Sequence, residues 1–321
     1  MNPNILLLSA GRRVELLRGF QDAAQEIVPG AKVYAADMRP QLSAACQLAD
    51  RAFAVPAVSD ADYIGCLSEL CQREHIGLVV PTIDTELAAL ARARNDFRDR
   101  ETALVVSDEE LVAQCRDKRK TAALFDRLGI ATPALFDSDK IRFPCFTKFY
   151  DGSNSVGAAR LESAKELTAA MLAEPNRIYM ELVPADHCEI TVDLYYDKAS
   201  MLKAVVPRQR LEVRGGEVSK GITRRDWVYD RLLDRLAVLR GARGCLTLQV
   251  FVGPQPGEVQ GIEINPRFGG GFPLSLAAGA DFPGWLICEY LRGESISFCD
   301  DWEADLMMLR YDAKVLVHGG A

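Results

Sequence analysis

The sequence predicts two fold classes in series, an α/β unit over residues 1–107 and an α+β region after it. Three observations carry that reading. Short apolar runs alternate with amphipathic stretches through the first third of the chain, as in a parallel sheet covered by helices. After residue 108 the pattern changes, and strand-like runs follow one another as in antiparallel sheets. The most informative stretch, residues 246–272, reads LTLQVFVGPQPGEVQGIEINPRFGGGF, two apolar runs around a Gly/Pro turn.

In the first unit, residues 4–9, 32–36, 51–55, 78–81 and 103–106 read as strands, with helices at 14–27 and 62–74. The turn Ser9-Ala10-Gly11-Arg12-Arg13 after the first strand lacks the Gly-x-Gly-x-x-Gly spacing of a dinucleotide loop. Asp37 ends the second strand without that partner motif, so neither NAD nor NADP is expected. Residues 81–86 (PTIDTE) stand at the carboxyl end of a strand, where open α/β sheets bind ligands. Asp84 and Glu86 read equally as substrate-facing carboxylates or as helix-start chemistry.

Residues 108–129 read as one or two helices, with Ser107 as N-cap and Gly129 as the stop. Strands at 143–148 and 156–161, a helix near 163–173 and a strand at 177–183 follow. A larger antiparallel sheet takes residues 190–196, 201–206, 246–252 and 259–265, with a helix over 227–240.

Strand alternation gives the hairpin its chemistry. Leu246, Leu248 and Val250 point to a core while Gln249 points away. Ile262 and Ile264 do the same on the second run, leaving Glu263 and Asn265 on the other face. One carboxylate and two amide oxygens form a hard-oxygen set suited to Mg²⁺ carrying phosphates. Pro266 ends the strand, and Arg267 follows, able to neutralise a phosphoryl group.

At these residues the chain resembles the ATP-grasp superfamily, in its carbamoyl-phosphate-synthase-large-subunit-like branch. The resemblance implies a Rossmann-like pre-ATP-grasp domain (1–107), a small lobe (108–185) and a large lobe with a C-terminal extension (186–321). It implies Gln249, Glu263 and Asn265 as metal ligands. Lys118, in DKRKT, and Lys148, ending FPCFTK, would meet the phosphates of ATP. Residues 151–157 (DGSNSVG) would be a lid through Ser153 and Ser155, though the same loop reads equally as a plain hairpin turn. Glu181 and Val183 would mark the adenine hinge and Glu189 the ribose, with Asp186 as competitor.

Residues 203–221, KAVVPRQRLEVRGGEVSKG, concentrate Lys203, Arg208, Arg210, Arg214 and Lys220 on an acidic chain, which reads as an anion site or as a solvated strand edge. The assignment by resemblance places Lys203 with the nucleotide, and Arg210, Lys220 and Arg267 in catalysis. The three glycines after Arg267 read as a substrate floor or a hinge. The implied activity is ATP- and Mg²⁺-dependent (Mn²⁺ as alternative) joining of a carboxylate and an amine through an acyl-phosphate, releasing ADP. Carboxyphosphate chemistry and a non-catalytic nucleotide-binding module are the alternatives. No Ser/His/Asp or Cys/His arrangement stands out.

A net charge of −7 argues against a general nucleic-acid or anionic-membrane surface. Nine cysteines without a Cys-x-x-Cys pair read as reduced thiols in a cytoplasmic protein. No apolar run reaches the roughly 20 residues that span a bilayer. The expected partners are small-molecule substrates and, by default, a second copy in a homodimer.

Overall fold

The computed structural model describes residues 2–152 and 156–318. Five strands, β1 (Asn4–Leu8), β2 (Val33–Asp37), β3 (Ala52–Ala54), β4 (Ile76–Val80) and β5 (Ala103–Leu104), form a parallel sheet in the order β3-β2-β1-β4-β5. Ile5–Leu8 and all of β4 are buried, as a sheet covered on both faces requires. Helices α1 (Val14–Ile27), α2 (Ala44–Leu48), α3 (Tyr63–Arg73) and α4 (Asp84–Arg98) supply that cover. Along α1 the buried residues are Leu16, Leu17, Phe20, Ala23 and Ala24, an apolar stripe at helical spacing. Strand order reverses between β1 and β4, so the loops following them open into one crevice.

The stretch after residue 108 is two helices, α5 (Glu109–Arg116) and α6 (Lys118–Arg127). The break falls at Asp117, whose side chain accepts from the Arg119 amide at 2.9 Å and caps α6. Ser107 is not the cap of α5. Asp108 occupies that position, and the Ser107 hydroxyl instead accepts from the Arg243 amide at 3.2 Å. Gly129, at φ +66°, takes the left-handed turn that ends α6.

A small antiparallel sheet joins β6 (Leu135–Phe136), β7 (Cys145–Phe149), β8 (Ala159–Leu161) and β9 (Arg177–Glu181) in the order β6-β9-β7-β8. The helix expected near 163–173 is only α7 (Ala169–Ala173) after a single 3₁₀ turn. Thr168 restarts the chain there by capping the Met171 amide. The large sheet contains β10 (Cys188–Tyr196), β11 (Leu202–Arg214), β12 (Glu217–Thr223), β13 (Gly244–Val252), β14 (Val259–Asn265) and β15 (Met307–Leu309), in the order β14-β13-β10-β11-β12-β15. Helices α8 (Trp227–Leu236), α9 (Phe272–Ala277) and α10 (Phe282–Leu291) complete the molecule.

One core runs from Ile5, Leu7 and Phe20 of the parallel sheet through Phe268 and Phe282 to Tyr195 and Leu248 of the large sheet. Phe20 meets Phe268 edge-on, their ring centroids 6.0 Å apart. Leu124, Phe125 and Leu128 of α6 belong to this same core. A Cβ on Gly261 of β14 would lie 2.6 Å from the Phe125 ring, so α6 rides directly on β14. The small sheet has a separate core of Cys145, Leu161 and Tyr179. No helix among the described residues is long and apolar enough to cross a membrane.

Candidate active site

A cleft of about 600 Å³ lies between the small and large sheets and extends to the crevice of the parallel sheet. Its floor is the β13–β14 hairpin. Gln249 sits opposite Glu263 and Thr247 opposite Asn265, and Gln249, Glu263 and Asn265 all line the cleft. Asn265 Nδ2 donates to Glu263 Oε1 at 2.9 Å, which turns the Asn265 carbonyl oxygen away from that contact. Ile262 departs from the expected pattern. A bulge between Gln249 and Val250 pairs Val250 with Gly261, so Ile262 is the extra residue and lines the cleft instead of entering the core. Ile264, past the bulge, is buried as expected.

Lys118 and Lys148, the two lysines expected at the phosphates, line the cleft with this floor. Lys118 Nζ stands 3.9 Å from Glu263 Oε2 and donates to the Gly152 carbonyl at 2.6 Å. Its backbone amide donates to the Tyr150 carbonyl at 2.9 Å, and the Arg119 guanidinium lies over the Tyr150 ring at 3.7 Å. Burial pushes the Lys148 ammonium down to about 8; Glu263 opposes the shift and Lys118 adds to it. Ser153 and Ser155 lie outside the described residues.

Glu181, Val183 and Glu189 also line the cleft. The Glu181 amide is occupied by the Ala134 carbonyl at 2.8 Å, whereas Val183 makes no backbone hydrogen bond among the described residues. Arg210 donates through Nη1 to Glu189, which sets it beside the residue expected at the ribose and not with Arg267, whose partner is Asp84. Arg210 Nε is buried without a partner. Asp186 pairs with His187 at 2.9 Å and does not line the cleft.

The basic run 203–220 disperses. Lys203, expected at the nucleotide, pairs with Asp197 at 3.2 Å near the far end of β11 and does not line the cleft. Lys220, expected in catalysis, points outward from β12 to Glu212 at 2.6 Å, and Arg214 joins the same carboxylate at 2.6 Å. Both lysine roles are therefore withdrawn: strand alternation and local carboxylates take these side chains elsewhere. Arg208 lines the cleft but is buried there in a two-point pair with Asp193, at 2.8 and 3.0 Å. Ser275 donates to the same Asp193 at 2.7 Å.

At the opposite end, Arg267 Nη2 meets Asp84 Oδ2 at 2.8 Å, and Arg267 Nε is buried without a partner. Asp84 is the first residue of α4, following Ile83 at the N-cap, and it also lines the cleft. Glu86 is wholly structural. Buried at the third position of α4, it accepts from the Thr82 and Ile83 amides (2.7 and 3.1 Å) and the Ser9 hydroxyl (2.8 Å). Burial raises its pKa and those donors counter it. The glycines after Arg267 pack closely rather than opening space: side chains at Gly269, Gly270 and Gly271 would meet Thr247, Glu217 and Arg208. Thr247 also donates to the Arg267 carbonyl at 3.0 Å, holding this loop to the sheet.

Sequence reasoning missed Arg13, Arg116 and Glu217, which line the cleft as well. Arg13 Nη2 donates to the Thr82 carbonyl at 3.0 Å. Burial, reinforced by Arg267, brings its pKa down to about 10. Glu217 is held by Arg12 at 2.7 Å and Arg310 at 3.1 Å; burial works to raise its pKa, but these guanidiniums keep it below the ordinary carboxylate value. No local sequence signal marks Arg13; it joins the cleft because strand order reverses between β1 and β4.

Family comparisons agree with this architecture. Residues 5–105 match the PylC-like N-terminal domain, and residues 174–308 match the ATP-grasp domain of the biosynthetic pathway with Ter operon. No curated protein matches the chain. Among solved structures, the biotin carboxylase domain of Hydrogenobacter thermophilus 2-oxoglutarate carboxylase, a dimer with MgADP, ADP and bicarbonate, superposes with a TM-score of 0.73 at 15% identity. The match covers 94% of this chain and 73% of that one. Staphylococcus aureus N5-carboxyaminoimidazole synthetase with ADP gives 0.70 at 14% identity, over 91% and 78%. An L-amino acid ligase from Bacillus licheniformis gives 0.68 at 16% identity, over 90% and 74%.

Proposed function

We propose that this chain, an ATP-grasp fold behind a parallel-sheet domain, is an ADP-forming ligase that joins a carboxylate to an amine. The observation that carries the reading is the meeting of Lys118, Lys148, Gln249, Glu263 and Asn265 in one cleft, with Arg267 at its other end. Adenine would sit at the 181–183 hinge, where the Val183 backbone is unengaged, and the ribose hydroxyls beside Glu189. The triphosphate would extend to Lys118 and Lys148.

The donor chemistry fits magnesium: one carboxylate and two amide carbonyls are hard oxygens. Gln249, Glu263 and Asn265 would hold it, and when bound it neutralises phosphate charge. The substrate carboxylate attacks the γ-phosphorus and ADP leaves, giving an acyl-phosphate. The amine then attacks the acyl carbon, phosphate leaves, and the amine proton passes to solvent. Arg267 supplies positive charge where the transferring phosphoryl group becomes acyl-phosphate. No side chain forms a covalent bond, so the protein contributes position and charge.

The test is ADP release with MgATP and panels of carboxylic acids and amines, followed by mass spectrometry of the products. Release that needs both substrates and yields an amide is the expected result. ADP release independent of any acid would sink the ligase reading. Bicarbonate is included because one structural neighbour was solved with it, and a response to bicarbonate alone would shift the reading to carboxyphosphate chemistry.

A further inference from the structure

We propose that Arg13 determines substrate specificity by holding a spectator carboxylate, one that the reaction leaves untouched, on an incoming substrate. The proposal rests on the ligase reading and names a substrate class for it.

Arg13 enters the cleft from the loop after β1 and faces the loop after β4. Its Nη2 donates to the Thr82 carbonyl at 3.0 Å, and it forms no ion pair among the described residues. Two positions along that loop, Asp84 is already committed to Arg267 at 2.8 Å. Arg267 Nε is itself buried without a partner among the described residues. Arg267 thus takes Asp84, Arg12 and Arg310 take Glu217, and Arg13 is left without an ion-pair partner among the described residues. The depressed pKa of Arg13, caused by burial and then by Arg267, agrees with a cation short of an anion. The bond to Thr82 sets Arg13 on the loop that carries the Asp84–Arg267 pair, whereas Lys118 stands at Glu263. Arg13 therefore serves the acceptor end rather than the triphosphate.

A planar guanidinium facing a partly dry cleft is matched by a planar carboxylate, through two parallel hydrogen bonds. The neighbouring Arg12 cannot take this part, because it is exposed and bound to Glu217. Two substrates could bring such a group: a dicarboxylic acid activated at its other end, or an amino acid supplying the amine. The chemistry at Arg13 is the same.

The experiment uses the full chain with MgADP. The acid-side probes are malonate, succinate and glutarate; the amine-side probes are L-alanine and L-lysine. Each is compared with the analogue in which one carboxylate is an amide, and dissociation constants and thermal midpoints are read. At least one carboxylate probe should bind about tenfold tighter than its amide. Arg13→Gln should abolish that preference, Arg13→Lys should restore only part of it, and MgADP affinity should stay unchanged in both variants. Preference for diacids puts the spectator carboxylate on the acid, and preference for amino acids puts it on the amine. The proposal is overturned if no probe is preferred to its amide, or if the preference survives Arg13→Gln. Failure of MgADP to bind the unsubstituted chain would instead sink the ligase reading. MgADP binding without any carboxylate preference sinks the role of Arg13 alone.

Discussion

Two groups of basic residues behave in opposite ways. Lys118, Lys148 and Arg267 are separated by 30 and 119 positions in the chain, yet all three line one cleft. Lys203, Arg208, Arg210, Arg214 and Lys220 fall within 18 consecutive residues, yet of these five Arg208 and Arg210 line the cleft, while Lys203, Arg214 and Lys220 turn to carboxylates away from it. Contiguity in sequence does not make a binding site. What matters is where each side chain leaves the backbone and whether the carboxylate it meets lines the cleft, as Glu263 and Asp84 do. Asp197 and Glu212 capture Lys203 and Lys220. Lys118 and Lys148 keep their charge toward the cleft beside Glu263, which is itself committed to function in the proposed reading.

The comparison can be broken most directly at Glu263. Glu263→Gln keeps shape and removes the only carboxylate of the hairpin floor, so turnover at saturating Mg²⁺ should fall by orders of magnitude with circular dichroism unchanged. Unaltered ADP production would mean that the converging group is not the reaction centre.

Next in size is Arg267→Ala. An interaction made mainly in the transition state is worth on the order of 3 kcal/mol, about a hundredfold in rate. Single-turnover phosphoryl transfer should drop by that factor while MgATP dissociation changes little. The opposite division, lost affinity with normal transfer, would make Arg267 a ground-state binder.

Lys148 gives a smaller, pH-resolved effect. With its pKa near 8 in the free protein, it carries charge below that value and loses it above. A bound triphosphate favours the charged form, so MgATP affinity should be flat below about pH 7 and weaken as pH rises through about 8, approaching tenfold per unit. The stability of the nucleotide-free fold should move the other way. Between about pH 8 and the unfolded-state pKa near 10.4, the unfolded chain binds more protons at this residue, so its contribution to stability rises with pH. Calorimetry at pH 7 and 9 on the native chain and Lys148→Met checks both slopes; identical slopes in the two proteins would exclude Lys148 as their source.

The smallest expected effect lies in the dispersed group. Lys203→Ala and Lys220→Ala should each change kcat/KM by less than about twofold, since both lysines form partly exposed ion pairs away from the cleft. A tenfold loss for either would restore the basic run as a site.

Alternation made much of this legible in advance. Gln249, Glu263 and Asn265 were placed on one face by counting in twos, and α1 by its apolar stripe, because those signals are local. The bulge at Ile262 was not, since it depends on how two strands settle against each other. Lys203 failed for a different reason. It lies six residues before Gln209 on one long strand, roughly 20 Å at the strand rise, so a shared run could not mean a shared site. Arg13 became visible only once the strand order brought two distant loops to one crevice.

The attachment of the small sheet has a mechanical consequence. Its links to the rest of the molecule include the Tyr150 carbonyl on the Lys118 amide and the Gly152 carbonyl on Lys118 Nζ. Lys148 is two residues from the first of these anchors, at most about 7 Å along the strand. A swing of about 10° around such a pivot displaces a point at that short lever arm by only about 1 Å, and remoter parts of the sheet proportionally further. The cleft can therefore be geared to open widely at its rim while Lys148, and Lys118 on the body side, stay almost in register with Glu263.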